Sequence, residues 1–155
     1  MTRMRPLVLA AGLALAAAPV AQAHVSADPA QAQAGGYQVV RFRIGHGCSE
    51  SQATTALRIE IPPGIAAARP QPKPGWRLSV EHRDGPTGPV SAVVWTGRLP
   101  ADQFDEFAVM LHLPEAPGAL YFPAVQTCGA AQASGPRSPT RPRPVGWTIL
   151  RRRFA

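Results

Sequence analysis

The chain lacks most of the short motifs by which common enzymes are recognised. It has no GxSxG, no Walker loop, no Gly-rich dinucleotide turn and no HExxH; those absences exclude the nucleophile elbow, the phosphate cradle and the zinc helix. Cysteine is scarce: Cys48 and Cys128 are the two present, and no CxxC pair occurs, so CxxC redox chemistry is excluded. Windows with a helical apolar period are missing, which excludes parallel α/β folds and long helical bundles. Charged residues make up 16% of the chain, and acids are missing altogether after Cys128, where Arg137, Arg141, Arg143, Arg151, Arg152 and Arg153 lie. That tail, with Arg3 and Arg5, accounts for the formal net charge of +7. Between His24 and Cys128, 8 basic residues meet 9 acidic ones. The part able to form a core is near neutral, and no nucleic-acid partner is expected.

A single long apolar run is present, at the N-terminus. Residues 1–23 read as a basic segment from Met1 to Arg5, an apolar stretch from Leu7 to Ala18, a breaker at Pro19, and Ala21-Gln22-Ala23. This is the layout of a secretory signal peptide cleaved after Ala23; the run is too short, and too interrupted by proline, to make a stable span of roughly 18 residues or more. The mature protein is therefore expected without a membrane span, in the periplasm or secreted.

Cleavage there leaves His24 first. An N-terminal histidine offers its free α-amine and imidazole Nδ1 to one ion, closing a chelate ring. Nitrogen-rich tetragonal sites suit Cu(II), which also heads the divalent affinity order. The plainer alternative is that some residue must follow a cleavage site and histidine happens to do so. Two cysteines in an oxidising compartment favour a Cys48–Cys128 disulfide, closing a loop of about 80 residues that chain entropy rates at roughly 4 kcal/mol. The competing reading is a thiolate copper site with Cys48 beside His46.

Proline (18) and glycine (14) are abundant in the 155 residues, and between His24 and Cys128 the apolar period is two. Val40, Phe42 and Ile44 alternate with Val39, Arg41 and Arg43. Leu57, Ile59 and Ile61 alternate with Arg58 and Glu60; Trp76, Leu78 and Val80 with Arg77, Ser79 and Glu81; Phe107, Val109, Leu111 and Leu113 with Ala108, Met110 and His112. Val90 to Trp95 and Leu120 to Val125 read as further strands, and clusters such as Pro62-Pro63-Gly64 and Asp84-Gly85-Pro86 as turns. Six or more strands with one apolar face each need a second sheet to cover that face. The predicted fold is an all-β, immunoglobulin-like sandwich over residues 24–128. His46, His82 and His112 read as surface histidines, Trp76 and Trp95 as core or rim aromatics. Asp105 and Glu106, being adjacent in a strand, point to opposite faces and cannot act as a carboxylate pair.

His24-Val25-Ser26 with Pro29, Gly45-His46-Gly47-Cys48, Thr54-Thr55, Pro70 to Trp76, Trp95, Phe104-Asp105-Glu106-Phe107, Leu120 to Pro123 and Gln126-Thr127-Cys128 together resemble the YcnI-like family of exported bacterial domains. The resemblance implies a β-sandwich of fibronectin or immunoglobulin character. It also implies Cu(II) binding through a brace made by His24, without catalysis, in copper handling beside periplasmic copper chaperones or transporters. A copper-dependent oxidative enzyme is the alternative from another class; it would need a second histidine, from His46, His82 or His112. A metal-free interaction module is a further one.

The resemblance stops at Cys128. Where the family continues with a strand close to Trp-x-Glu-Ile-Pro, residues 129–155 are rich in Arg and Pro, and the family tryptophan's role is not carried to Trp147. The tail is accordingly expected to be disordered and the sandwich to lack its last strand. If Gln132 to Ala155 is written in GC-rich codons, a reading displaced by two nucleotides begins Gly-Glu-Trp-Ala-Glu-Ile-Pro-Asp, so a frameshifted 3′ end is one origin for the tail.

Overall fold

The computed structural model describes residues 25–129 and 143–150. No helix occurs among them; the chain forms strands β1 (Val25–Asp28), β2 (Gln31–Gln33), β3 (Tyr37–Ile44), β4 (Thr54–Glu60), β5 (Ala67–Pro70), β6 (Arg77–His82), β7 (Val90–Leu99), β8 (Asp105–His112), β9 (Gly118–Cys128) and β10 (Arg143–Leu150). These make a four-stranded sheet in the order β1-β3-β8-β5 and a six-stranded sheet in the order β2-β10-β9-β4-β7-β6. The all-β, two-sheet architecture is the one that the period of two demands.

The apolar alternation is what packs the sheets together. Val40, Phe42 and Ile44 of β3 and Phe107, Val109 and Leu111 of β8 meet Leu57 and Ile59 of β4, Val93 and Trp95 of β7 and Phe122 of β9 in one buried cluster. Phe42 meets Phe122 edge-on at 5.5 Å, and Trp95 lies 5.4 Å from Phe107. Truncating one such aromatic to alanine costs about 3–5 kcal/mol. The indole N–H of Trp95 donates to the Gln71 carbonyl at 3.2 Å, so its polar atom is not stranded in the core. Trp76 stacks edge-on against Phe107 at 4.9 Å and covers Gly97, where a Cβ would run into the indole ring.

β6 departs from expectation. Its alternation is regular, yet Leu78 is only half-buried and Val80 is exposed. The physical reason is position: β6 is the outer strand of the six-stranded sheet, paired on one side to β7. Four facing strands do not cover six.

The expectation that the last strand is missing is corrected. β10 lies between β2 and β9, antiparallel to β9 from Arg143↔Ala124 to Ile149↔Gly118 and parallel to β2 from Thr148↔Gln31 to Leu150↔Gln33. Its exposure alternates as a half-buried strand requires, with Ile149 in the core and Thr148 and Leu150 outside. Composition rich in Arg and Pro hid a strand whose pairing partners are long range. Trp147 stands opposite Leu120 in that register. Residues 1–24, with the expected signal peptide and His24, residues 130–142, where the displaced codons fall, and residues 151–155 lie outside the described residues.

Candidate functional site

One end of the sandwich collects the residues that the sequence reading singled out. In the four-stranded sheet, Val25 pairs with Ile44 and Ile44 with Asp105. In the six-stranded sheet, Thr54 pairs with both Leu99 and Cys128. The loop Gly45 to Ala53 closes this end, and two bonds hold it: Gly47 N donates to the Ala101 carbonyl in the β7–β8 connection at 3.0 Å, and Gln126 Nε2 of β9 to the His46 carbonyl at 2.9 Å. Cys48 and Cys128 are joined in a disulfide with α-carbons 5.9 Å apart. Both sulfurs are therefore occupied, which removes the thiolate alternative in this state of the protein.

Gln126, quoted in the sequence as part of the Gln126-Thr127-Cys128 run, has a role at this end that the sequence reading did not assign. It faces inward after Phe122 and Ala124 on β9 and is 3% exposed. Its amide N–H groups reach the His46 carbonyl and, at 2.7 Å, the buried Thr54 Oγ1, while its Oε1 has no hydrogen-bond partner among the described residues. A polar residue at an inward position of a regular alternation was the available signal.

The three described histidines separate. His46 is exposed in the end loop, its Nδ1 2.6 Å from the Gly47 carbonyl oxygen. His112 pairs with Tyr37 at the opposite end of the four-stranded sheet, 4.8 Å ring to ring. His82 closes β6 opposite Val90, its Nδ1 2.7 Å from the Gly88 carbonyl. At about 3.3 Å per residue, the length of β3 puts His112 some 20 Å from the His46 end and the length of β7 puts His82 some 30 Å from it. Asp105 and Glu106 do serve different partners: Lys73 Nζ lies 2.6 Å from Asp105 Oδ1, and Arg43 2.7 Å from Glu106 Oε1. Among the described residues, no three His, Cys, Asp or Glu side chains are grouped to hold a metal ion. His24 itself lies outside them, one peptide bond before Val25.

Residues 24–144 match the family described as "Domain of unknown function (DUF1775)". The chain belongs to the DUF1775 family. That match and the relatives below bear out the YcnI-like resemblance. A solved structure of an uncharacterized protein from Nocardia farcinica, reported to have an immunoglobulin-like fold, shares 34% identity with this DUF1775 chain. The two superpose with a TM-score of 0.61 over 81% of this chain and 97% of that one. The copper-binding protein CutI of Bacillus subtilis (strain 168) is 25% identical over 95 residues, 61% of this chain and 46% of CutI. The DUF1775 chain thus spans about half the length of that curated relative.

Proposed function

We propose that this protein binds Cu(II) outside the cytoplasm through His24, made N-terminal by removal of residues 1–23, and carries or sequesters the ion without catalytic turnover. The likeness to the copper-binding protein CutI is the observation that carries the reading. Three features of the chain support it. The family match starts at residue 24, the residue that cleavage after Ala23 would expose. β1 begins at Val25 and is held to β3 through four paired positions, so a histidine joined to Val25 is attached to an ordered strand. The disulfide fits an oxidising compartment. The donor set fits as well: amine and imidazole are nitrogen ligands of the kind Cu(II) prefers, and no thiolate competes. Copper is the cargo here, and the chain's part is to offer the two nitrogens of one residue to it.

Calorimetric titration of Cu(II) into protein beginning at His24, beside protein carrying one extra residue ahead of it, tests the reading. The extension should weaken binding as severely as His24→Ala, since either change opens the same chelate ring. Equal affinity of the extended and processed forms would overturn it. Oxygen uptake by the loaded protein with a reductant should not exceed that of free copper; a sustained rate above it would favour an oxidative enzyme.

A further inference from the structure

We infer that a second copy of this chain pairs with the open edge of β6, joining the six-stranded sheets of the two copies about a twofold axis. Among the described residues, β1, β5, β2 and β6 lie at sheet edges. β1 and β5 have four residues and β2 three, and β5 ends in Pro70; short strands and proline are common ways of blunting an edge. β6 has six residues and no proline, and its bulge lies at the far end, between Glu81 and His82. The direction of its backbone groups follows from the pairing. In an antiparallel strand the N–H and C=O groups turn to one neighbour and then to the other at alternate residues. Ile61 N donates to the Ser91 carbonyl at 2.9 Å, so Ser91, Val93 and Trp95 serve β4, while Ala92, Val94 and Thr96 serve β6. Opposite those last three stand Glu81, Ser79 and Arg77. Leu78 and Val80 therefore aim their N–H and C=O groups at the open edge, and no hydrogen bond among the described residues takes them up.

The side chains of β6 fix both the occupant and the register. Backbone groups aimed at the edge must meet groups aimed back at them, and antiparallel pairing centred on Ser79 achieves this. Leu78 then meets the second copy's Val80, and Val80 its Leu78, in hydrogen-bonded pairs. In the same register Arg77 stands opposite the second copy's Glu81 and Glu81 opposite its Arg77, so opposite charges meet twice. Centring the pairing on Leu78 or Val80 instead loses both ion pairs. The charges are available for this. Arg77 is exposed and takes part in no ion pair among the described residues. The Glu81 carboxylate, held by Arg58, stays half exposed and has lone pairs left for a second guanidinium. Leu78 is partly buried and Val80 exposed, on the face that the four-stranded sheet does not reach; pairing lays each against the other across the seam. The contact uses the same patch on both copies, so it closes as a dimer. A single strand-to-strand seam is small, which makes the dimer a weak one.

Sedimentation velocity of the disulfide-bonded protein from about 10 μM to about 1 mM should show a monomer passing into a dimer. Arg77→Glu sets like charges across both ion pairs, and Glu81→Arg does the same with the opposite sign; each alone should weaken association by about tenfold or more. Mixed in equal amounts, the two variants should recover the dimer, because each supplies the charge that the other lacks. Ser79→Cys tests the register without touching a charge. Residue 79 faces its own counterpart across the axis in a non-hydrogen-bonded pair, with α-carbons about 4.5 Å apart, within the span of a disulfide. It should oxidise to a covalent dimer at least about tenfold faster than Ser26→Cys, an exposed serine on β1 at an edge of the other sheet. A wild type that stays monomeric across that range overturns the inference. So does a dimer that mixing the two charge variants fails to restore, or one that Ser79→Cys captures no faster than Ser26→Cys.

Discussion

At the scale of residues, the side chains that matter most are those whose neighbours come from distant segments. Gln126 holds the carbonyl of a residue 80 positions away, and Thr54, read earlier as part of a motif, turns out to be its buried partner. On the outer face of the six-stranded sheet, Arg58 reaches past β7 to Glu81, with N–O distances of 2.5 and 2.8 Å. The hydrogen bonds from Arg58 hold the Glu81 carboxyl below its ordinary range, and the same bonds raise the guanidinium. A carboxyl whose value is lowered on folding stabilises the fold above its unfolded value, about 4.3, and that contribution disappears as pH falls through the folded value. Glu81→Gln should therefore cost less than about 1 kcal/mol at neutral pH, since the pair is largely exposed. The cost should shrink toward zero below about pH 4. Urea unfolding of both proteins across pH 3 to 7 checks this; a difference that is constant down to pH 3 would show that the ion pair is not its source.

At the scale of elements, the strands with strong alternation were legible and the short ones and β10 were not. β3, β4, β7, β8 and β9 each carry several apolar residues at every second position, and all are found where expected. β1, β2 and β5 have three or four residues, too few for a period to register. Pro70 in β5 is tolerated because that strand is at a sheet edge. β10 escaped notice for a different reason: its identity as a strand depends on the edges of β9 and β2 that it covers. Truncation after Gly129 removes both pairings, exposes the backbone of β9 and leaves β2 without its neighbour. The shortened protein should melt at lower temperature and scatter light on standing, as proteins with an unpaired long strand do. Thermal melting and light scattering of the two forms measure it, and equal melting temperatures would mean that β10 contributes nothing to the fold.

At the scale of the whole molecule, the disulfide is the one covalent link between the end loop and the last strand of the central core, and it closes a segment separated by 80 positions. Chain entropy rates such a loop at up to about 4 kcal/mol. Replacing both cysteines by serine should lower unfolding stability by about 2–4 kcal/mol, read from the midpoint of urea denaturation, with a reduced wild type behaving alike. A loss under about 1 kcal/mol would show that the end loop is held by its hydrogen bonds instead. By itself the sequence determined the all-β class, the inward face of each long strand and the family, because an apolar period of two and a string of short motifs are local properties written in consecutive residues. Which cysteine reading holds, that β6 is left half-covered, that residues 143–150 complete a sheet, and that His46 rather than His82 or His112 shares an end with Val25 were decided by the tertiary structure alone. Each of those depends on which strands become neighbours and in what register, and pairing between segments a hundred residues apart leaves no mark on the local pattern of either.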